Sequence, residues 1–267
     1  LTRARFFAVQ NLAKEKQRFL NYLFKKYSTM AQEKVFSDTF STSALAVYEE
    51  FDSAEALANM DLQQLTDFLI QKGKNRFPDP ESVAKAIQKA ARSSYRLPKT
   101  INDSVNQVLS ISISSMKALE SQIKAFDKAI AAQMELIPNT LTSVGGIGPV
   151  YSAGIIAEIG DINRFPNQAA LAKYAGLAWS QHQSGDFEAQ NTRLIKSGNR
   201  YLKYYLCEAA MSLVRCDAEY SRFYHLKYKE VNKYQHKRAL ALTARKFVRL
   251  VFRLLKDNCL YRAPETH

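Results

Sequence analysis

Residues 141–200 read LTSVGGIGPVYSAGIIAEIGDINRFPNQAALAKYAGLAWSQHQSGDFEAQNTRLIKSGNR, and this window decides the fold. Of the nine glycines in the chain, all but Gly73 lie in it: Gly145, Gly146, Gly148, Gly154, Gly160, Gly176, Gly185 and Gly198. Glycine gathers where backbone must turn with positive φ or approach something closely. Outside the window the apolar residues recur at helical intervals. The expected fold is therefore mainly α, with its unusual backbone and its function confined to this stretch.

The first part of the window has the pattern of a helix-hairpin-helix. Leu141 and Val144 close a short first helix, Gly146-Ile147-Gly148 forms the hairpin, and Pro149 takes the first position of a second helix. That helix carries Ala153, Ile155, Ile156 and Ile159 and stops at Gly160. With no side chains at Gly146 and Gly148, the N–H groups of the hairpin and helix start can face a phosphate. Such a grip holds a sugar-phosphate backbone without reading bases. A tight turn between packed helices would use the same residues, and Val150 stands where a Lys or Arg would add a phosphate contact.

Ser184-Gly185 follows, in a polar stretch between an Ala-rich helix at 168–174 and another beginning near Asn199. Serine beside glycine in a loop is commonly a turn residue. An exposed hydroxyl there is also the position of a nucleophile. Lys196, Arg200 and Lys203 recur at i, i+4 and i+7, which predicts a cationic helical face near the loop. Cations suit attack on a phosphodiester, because charge develops on the phosphoryl oxygens. His182 would face the same way as Ser184 in an extended segment and could assist proton transfer.

The run GGIGPVYSAGIIAEIGDINRFPNQAALAKYAGLA, with HQSGDFEAQNTRLIKSGNRYLKYYLCEAA after it, resembles the C-terminal domain of a family of bacterial insertion-sequence transposases. These are the DEDD-type recombinases, some of them guided by a bridge RNA. The resemblance covers residues 138–262, and the upstream helices are similar to that family's linker. It implies that Ser184 attacks a DNA phosphate and forms a phosphoserine link. Arg193, Lys196 and Arg200 would neutralise phosphate beside it, and Gly146 and Gly148 would hold the strand's backbone. It also implies a ribonuclease-H-like domain whose acids hold Mg2+; those acids would precede Leu1, so none is assigned in this chain. The implied partners are DNA, a guide RNA and further copies of the chain. The departures are Ser152, where the family more often has Ala, and a tyrosine-rich tail after Arg200. A non-catalytic helix-hairpin-helix clamp, or a scaffold for dimerisation, is the competing reading.

The 267 residues are 46% hydrophobic, enough for a sizeable core. Thirty-eight basic against 25 acidic residues give a net charge of +13, which points to a polyanion partner. The three cysteines have no zinc or disulfide spacing, and Cys207 and Cys216 are expected in the core. The four histidines show no metal spacing. Without a secretory signal or a membrane-spanning apolar run, the expected location is cytoplasmic.

Four segments are expected: 1–27, a helix continuing from a preceding domain; 28–99, small helices; 100–137, one long coiled-coil-like helix; and 138–267. In the first, Arg3, Arg5, Lys14, Lys25 and Lys26 make a basic outer face. Asp61 and Asp79-Pro80 mark helix starts. Adjacent Glu49 and Glu50 point apart on a helix and read as a solvated face. Met116, Leu119, Ile123, Phe126, Ile130 and Ile137 form a 3-4 repeat, of a bundle helix or of a seam between subunits. Tyr220, Phe223, Tyr224 and Tyr228, interleaved with basic residues, read as core with a solvated rim or as base-stacking residues. The last helix, near 236–255, carries Arg245, Arg249 and Arg253 along one side, where Arg249 and Arg253 could track consecutive phosphates.

Overall fold

Eleven α-helices, two single-turn 3-10 helices and one two-stranded hairpin make up the described part of the chain, in a computed structural model. The structure describes every residue except 31, 34, 75, 76, 180–182, 185, 186, 189–193 and 263–267; of residues 183, 184, 187 and 188 it describes the backbone. The chain divides into two units, Phe7–Ile123, and Leu1–Phe6 with Lys124–His267, so the divisions fall inside helices rather than in loops.

The unit Phe7–Ile123 contains most of α1 (Thr2–Lys26), then α2 (Thr42–Glu50), α3 (Ala54–Asn59), α4 (Leu62–Gly73), α5 (Pro80–Arg92) and the greater part of α6 (Lys99–Glu135). Its short helices start on side-chain caps. Ser41, Ser53, Asp61 and Asp79 accept from the backbone N–H of Ala44, Ala56, Gln64 and Ser82, each satisfying a donor that the first turn leaves open. The core gathers Phe19, Leu23, Tyr27, Leu57, Leu65, Ile87 and Ile113. Lys26 departs from the expected basic face. It is 2% exposed, its ammonium donates to the Tyr48 carbonyl at 2.9 Å, and burial lowers its pKa to about 8. Its long apolar stem is what carries the charge to that acceptor. Glu49 and Glu50 are exposed, as their adjacency required.

Helix α6 stops at Glu135, short of the expected 137, because the residue before Pro138 is driven out of helical backbone. Met116 and Ile130 on its repeat are buried, while Leu119, Ile123 and Phe126 are half-buried.

The other unit is built from α7 (Pro149–Ile159), α8 (Gln168–Tyr174), α9 (Arg200–Cys216), α10 (Ala218–Lys229) and α11 (Gln235–Lys256). Helix α9 is its hub, packing on α7, α10 and α11. Leu202, Leu206, Ala209, Ala210 and Leu213 are all buried, on one stripe of α9. The close approach of α7 and α9 depends on Gly154, because a Cβ there would lie within the space of the Tyr205 ring. Tyr205 is itself fully buried and its hydroxyl donates to the Thr2 carbonyl at 2.7 Å. Tyr220 and Tyr224 are core residues, whereas Phe223 is half-buried beneath the Lys246 ammonium and Tyr228 is exposed. Cys207 is half-buried, and burial pushes its thiol up to about 11. Cys216 is exposed at the end of α9, not in the core as expected, because the apolar stripe has run out by that turn. Among the described residues, no helix is long and apolar enough to cross a membrane.

Candidate functional site

The hairpin pattern at 141–159 folds with a shorter first arm than expected. Leu141–Ser143 is a single 3-10 turn rather than an α-helix. It is anchored by buried Thr140, whose hydroxyl donates to the Leu254 carbonyl at 2.9 Å. Gly146 and Gly148 answer to different demands. Gly146 has φ +87°, its carbonyl accepts from the Ser212 hydroxyl at 2.7 Å, and a Cβ there would lie 3.0 Å from the Cys216 sulfur. Packing against α9 therefore requires glycine at that position. A Cβ at Gly148 would meet nothing within 4 Å among the described residues. Gly148 caps α7 without a side-chain bond and Pro149 follows it. The N–H groups of Val150 and Tyr151, in the first turn, have no intrahelical acceptor. Ser152 is completely buried and its hydroxyl has no partner among the described residues.

Beyond α8 the chain leaves the helices through a narrow neck. Gly176 (φ +69°) and Gly198 (φ +126°) lie backbone against backbone; a Cβ on Gly198 would sit 2.5 Å from the Gly176 nitrogen. Antiparallel pairing follows. Ile195 N–H donates to the Ala178 carbonyl at 2.9 Å, and Trp179 bridges Leu194. Further along, β1 (Gln183–Ser184) pairs with β2 (Phe187–Glu188), with Ser184 opposite Phe187. Ser184 thus occupies a short hairpin strand. Its side chain lies outside the described residues, as do His182 and Arg193.

Lys196 and Arg200 come next. The expected single helical face is broken, because α9 begins only at Arg200: Asn199 caps it, accepting from the Tyr201 and Leu202 N–H groups at 2.9 and 3.0 Å. Lys196 is exposed in the segment before that cap, and Lys203 is half-buried. Arg200 is exposed, donates to the Tyr201 hydroxyl at 2.9 Å and lies over the Phe6 and Tyr201 rings.

Sequence reasoning missed the group that fixes the foot of the neck. Glu158, 6% exposed, accepts from Arg3 Nε and Nη2 at 2.7 and 2.9 Å and from Asn199 Nδ2 at 2.7 Å. The same Asn199 amide donates to the Tyr174 hydroxyl at 3.2 Å, and Asn199 N–H to the Tyr174 carbonyl at 2.7 Å. One carboxylate and one amide therefore tie α7, α8 and α9 together where the neck begins. The Arg3 hydrogen bonds hold the Glu158 carboxyl below the usual carboxylate range, and the Asn199 bond lowers the Tyr174 hydroxyl. Glu158 is the one acidic residue in an otherwise apolar helix, and that was the signal available.

On α11, Arg249 and Arg253 are exposed, and neither forms an ion pair among the described residues. Arg245 beside them is half-buried, and donates to the Gln168 carbonyl at 3.3 Å. Its pKa is lowered by burial and by the charge of Arg249. Two unneutralised like charges one turn apart favour an external anion. Among the described residues, no group of three His, Cys, Asp or Glu could hold a metal ion.

These features define a basic, mainly helical protein with a serine-bearing paired loop set on a hub helix. Within it, residues 139–225 match the model of the Transposase IS116/IS110/IS902 family. Over 152 residues the chain is 32% identical to the insertion element IS110 uncharacterized 43.6 kDa protein of Streptomyces coelicolor, covering 56% of this chain and 37% of that protein. Over 240 residues it is 27% identical to the insertion element IS116 uncharacterized 44.8 kDa protein of Streptomyces clavuligerus, covering 86% and 57%. Over 105 residues it is 30% identical to a probable family 20 transposase of Pseudomonas aeruginosa, covering 39% and 31%. The chain thus spans less than two thirds of the length of each of these relatives.

Proposed function

We propose that the chain serves DNA transposition, with Ser184 as the nucleophile on a DNA phosphodiester. The reading is supported by one observation above the others: the transposase-like segment 139–225 encloses the neck, and Ser184 sits on the short hairpin that the neck carries.

In the proposed chemistry, a bond forms between Ser184 Oγ and phosphorus as the bond from phosphorus to the departing sugar oxygen breaks. The serine proton leaves to solvent or to a neighbouring base, and the departing oxygen takes up a proton. The phosphodiester is conserved as a phosphoserine link, so a hydroxyl of a second strand can attack the same phosphorus, release Oγ and restore Ser184. A free serine hydroxyl is a weak nucleophile. The cations Arg193, Lys196 and Arg200, together with the positive N-terminus of α9, would favour the charge that develops on the phosphoryl oxygens. Gly148, Arg249 and Arg253 would hold the sugar-phosphate backbone away from the reacting bond, and Gly146 would keep the hairpin against α9. A guide RNA as a second polyanion, and self-association along α6 to bring two DNAs together, belong to the same proposal.

Ser184→Ala in the complete protein tests it. The covalent DNA adduct is expected to vanish while duplex binding survives. An adduct that persists removes Ser184 as nucleophile, and what remains is the clamp reading, in which the hairpin binds DNA without cutting.

A further inference from the structure

A cavity of about 710 Å³ lies beside the neck, lined by Trp179 and Leu194 of the bridge and by Glu230, Lys233, Tyr234 and Lys237 at the turn into α11. Tyr234 carries two anomalies at once. It is 79% exposed, and it holds left-handed backbone at φ 54° and ψ 29°. A bulky residue in that region is strained, and such strain clusters at binding sites. The Tyr234 carbonyl accepts from the Arg238 N–H at 3.0 Å as α11 begins, but its side chain makes no capping hydrogen bond there. Neither the Tyr234 ring nor that of Trp179 makes a ring contact among the described residues. Glu230 is the one acid in the lining, and it is already neutralised by Lys227 and by Arg238, the latter at 2.9 Å. Lys233 and Lys237 are exposed and form no ion pair among the described residues. The cavity thus offers two unstacked aromatic side chains and two uncommitted ammonium groups.

We infer that this cavity binds an unpaired nucleotide of a DNA strand, stacking its base on the Tyr234 ring in the space that Trp179 also lines and holding its phosphate with Lys233 and Lys237. Duplex DNA hides its base faces, so only a flipped or single-stranded nucleotide can use the aromatic groups. The inference rests on the reading of the chain as a DNA-processing protein, and gives it a place to hold a strand opened next to Ser184.

Trp179 is the chain's sole tryptophan, so its emission reports the cavity without a label. Titration with a short oligodeoxythymidylate is expected to quench that emission. The same oligomer with its bases removed should bind more weakly by roughly fivefold to a hundredfold, the worth of one base–aromatic stack. Tyr234→Ala should abolish this preference for bases, and Tyr234→Phe should keep it; the exposed position leaves the core of either variant intact. Equal binding of the two oligomers with equal quenching, or a base preference unchanged in Tyr234→Ala, overturns the site. An oligoribonucleotide that binds tenfold tighter than the DNA oligomer overturns the assignment to DNA. Failure here is separable from failure of the nucleophile, since the Ser184→Ala adduct assay does not depend on Tyr234.

Discussion

Replacing Gly148 with alanine adds one methyl group into open space at φ −80°, a backbone that any residue adopts. Folding stability should change by less than about 0.5 kcal/mol. If phosphate approaches the α7 N-terminus, the methyl stands in its path, and DNA affinity should fall roughly tenfold, about the worth of one charge-assisted hydrogen bond. Gly146→Ala should behave in the opposite sense. It forces a side chain onto φ +87° and against Cys216, so it should cost on the order of 1–3 kcal/mol of stability. Thermal unfolding and electrophoretic binding of the two variants separate the roles. Gly148→Ala with unaltered DNA binding would leave the hairpin as a packing turn. The sequence could show that both glycines matter. It could not show that one is held by α9 and the other is open, because that depends on residues some 66 positions away.

At the scale of elements, Glu158 joins three helices through Arg3 and Asn199. A carboxyl whose pKa is lower folded than unfolded contributes stability that is whole above the unfolded pKa and is lost as pH falls through the folded one. The wild-type chain should therefore lose stability below about pH 4.3 more steeply than Glu158→Gln. At neutral pH the variant should be less stable by about 1–3 kcal/mol, since Arg3 and Asn199 then face a weaker acceptor. Denaturant unfolding over that pH range measures both, and parallel curves would dismiss the ion-pair account. Helix punctuation was legible in advance: the Asp61 and Asp79 caps, Pro149 opening α7 and Gly160 closing it all lie within a few residues of what they control. The lone acid of α7 is visible in the sequence, but its partner Arg3 lies 155 positions away and nothing local points to it. The β1–β2 hairpin was illegible for another reason, since strands of two residues are too short to show alternation. The expected face joining Lys196 to Arg200 is absent because Asn199, a strong capping residue, stands between them and starts α9 only at Arg200.

At the scale of the whole molecule, a net charge of +13 makes salt the main lever on polyanion binding. Affinity for DNA should fall linearly on a log–log plot against salt. Arg249→Ala and Arg253→Ala should each lower the slope by about 1 and weaken unrelated DNA sequences equally, as loss of a phosphate contact does. Fluorescence anisotropy across a salt series reads this directly, and unchanged slopes would make the α11 arginines a solubility feature. The crossing of Gly176 over Gly198 bears on how such a protein can diversify. Two main chains touching with nothing between them isolate the helices from whatever is inserted beyond that point. Insertions and deletions can accumulate past the crossing while α8 and α9 keep their register. A graft carrying both glycines together with Asn199 would then move the entire arm as a cassette onto a sister scaffold.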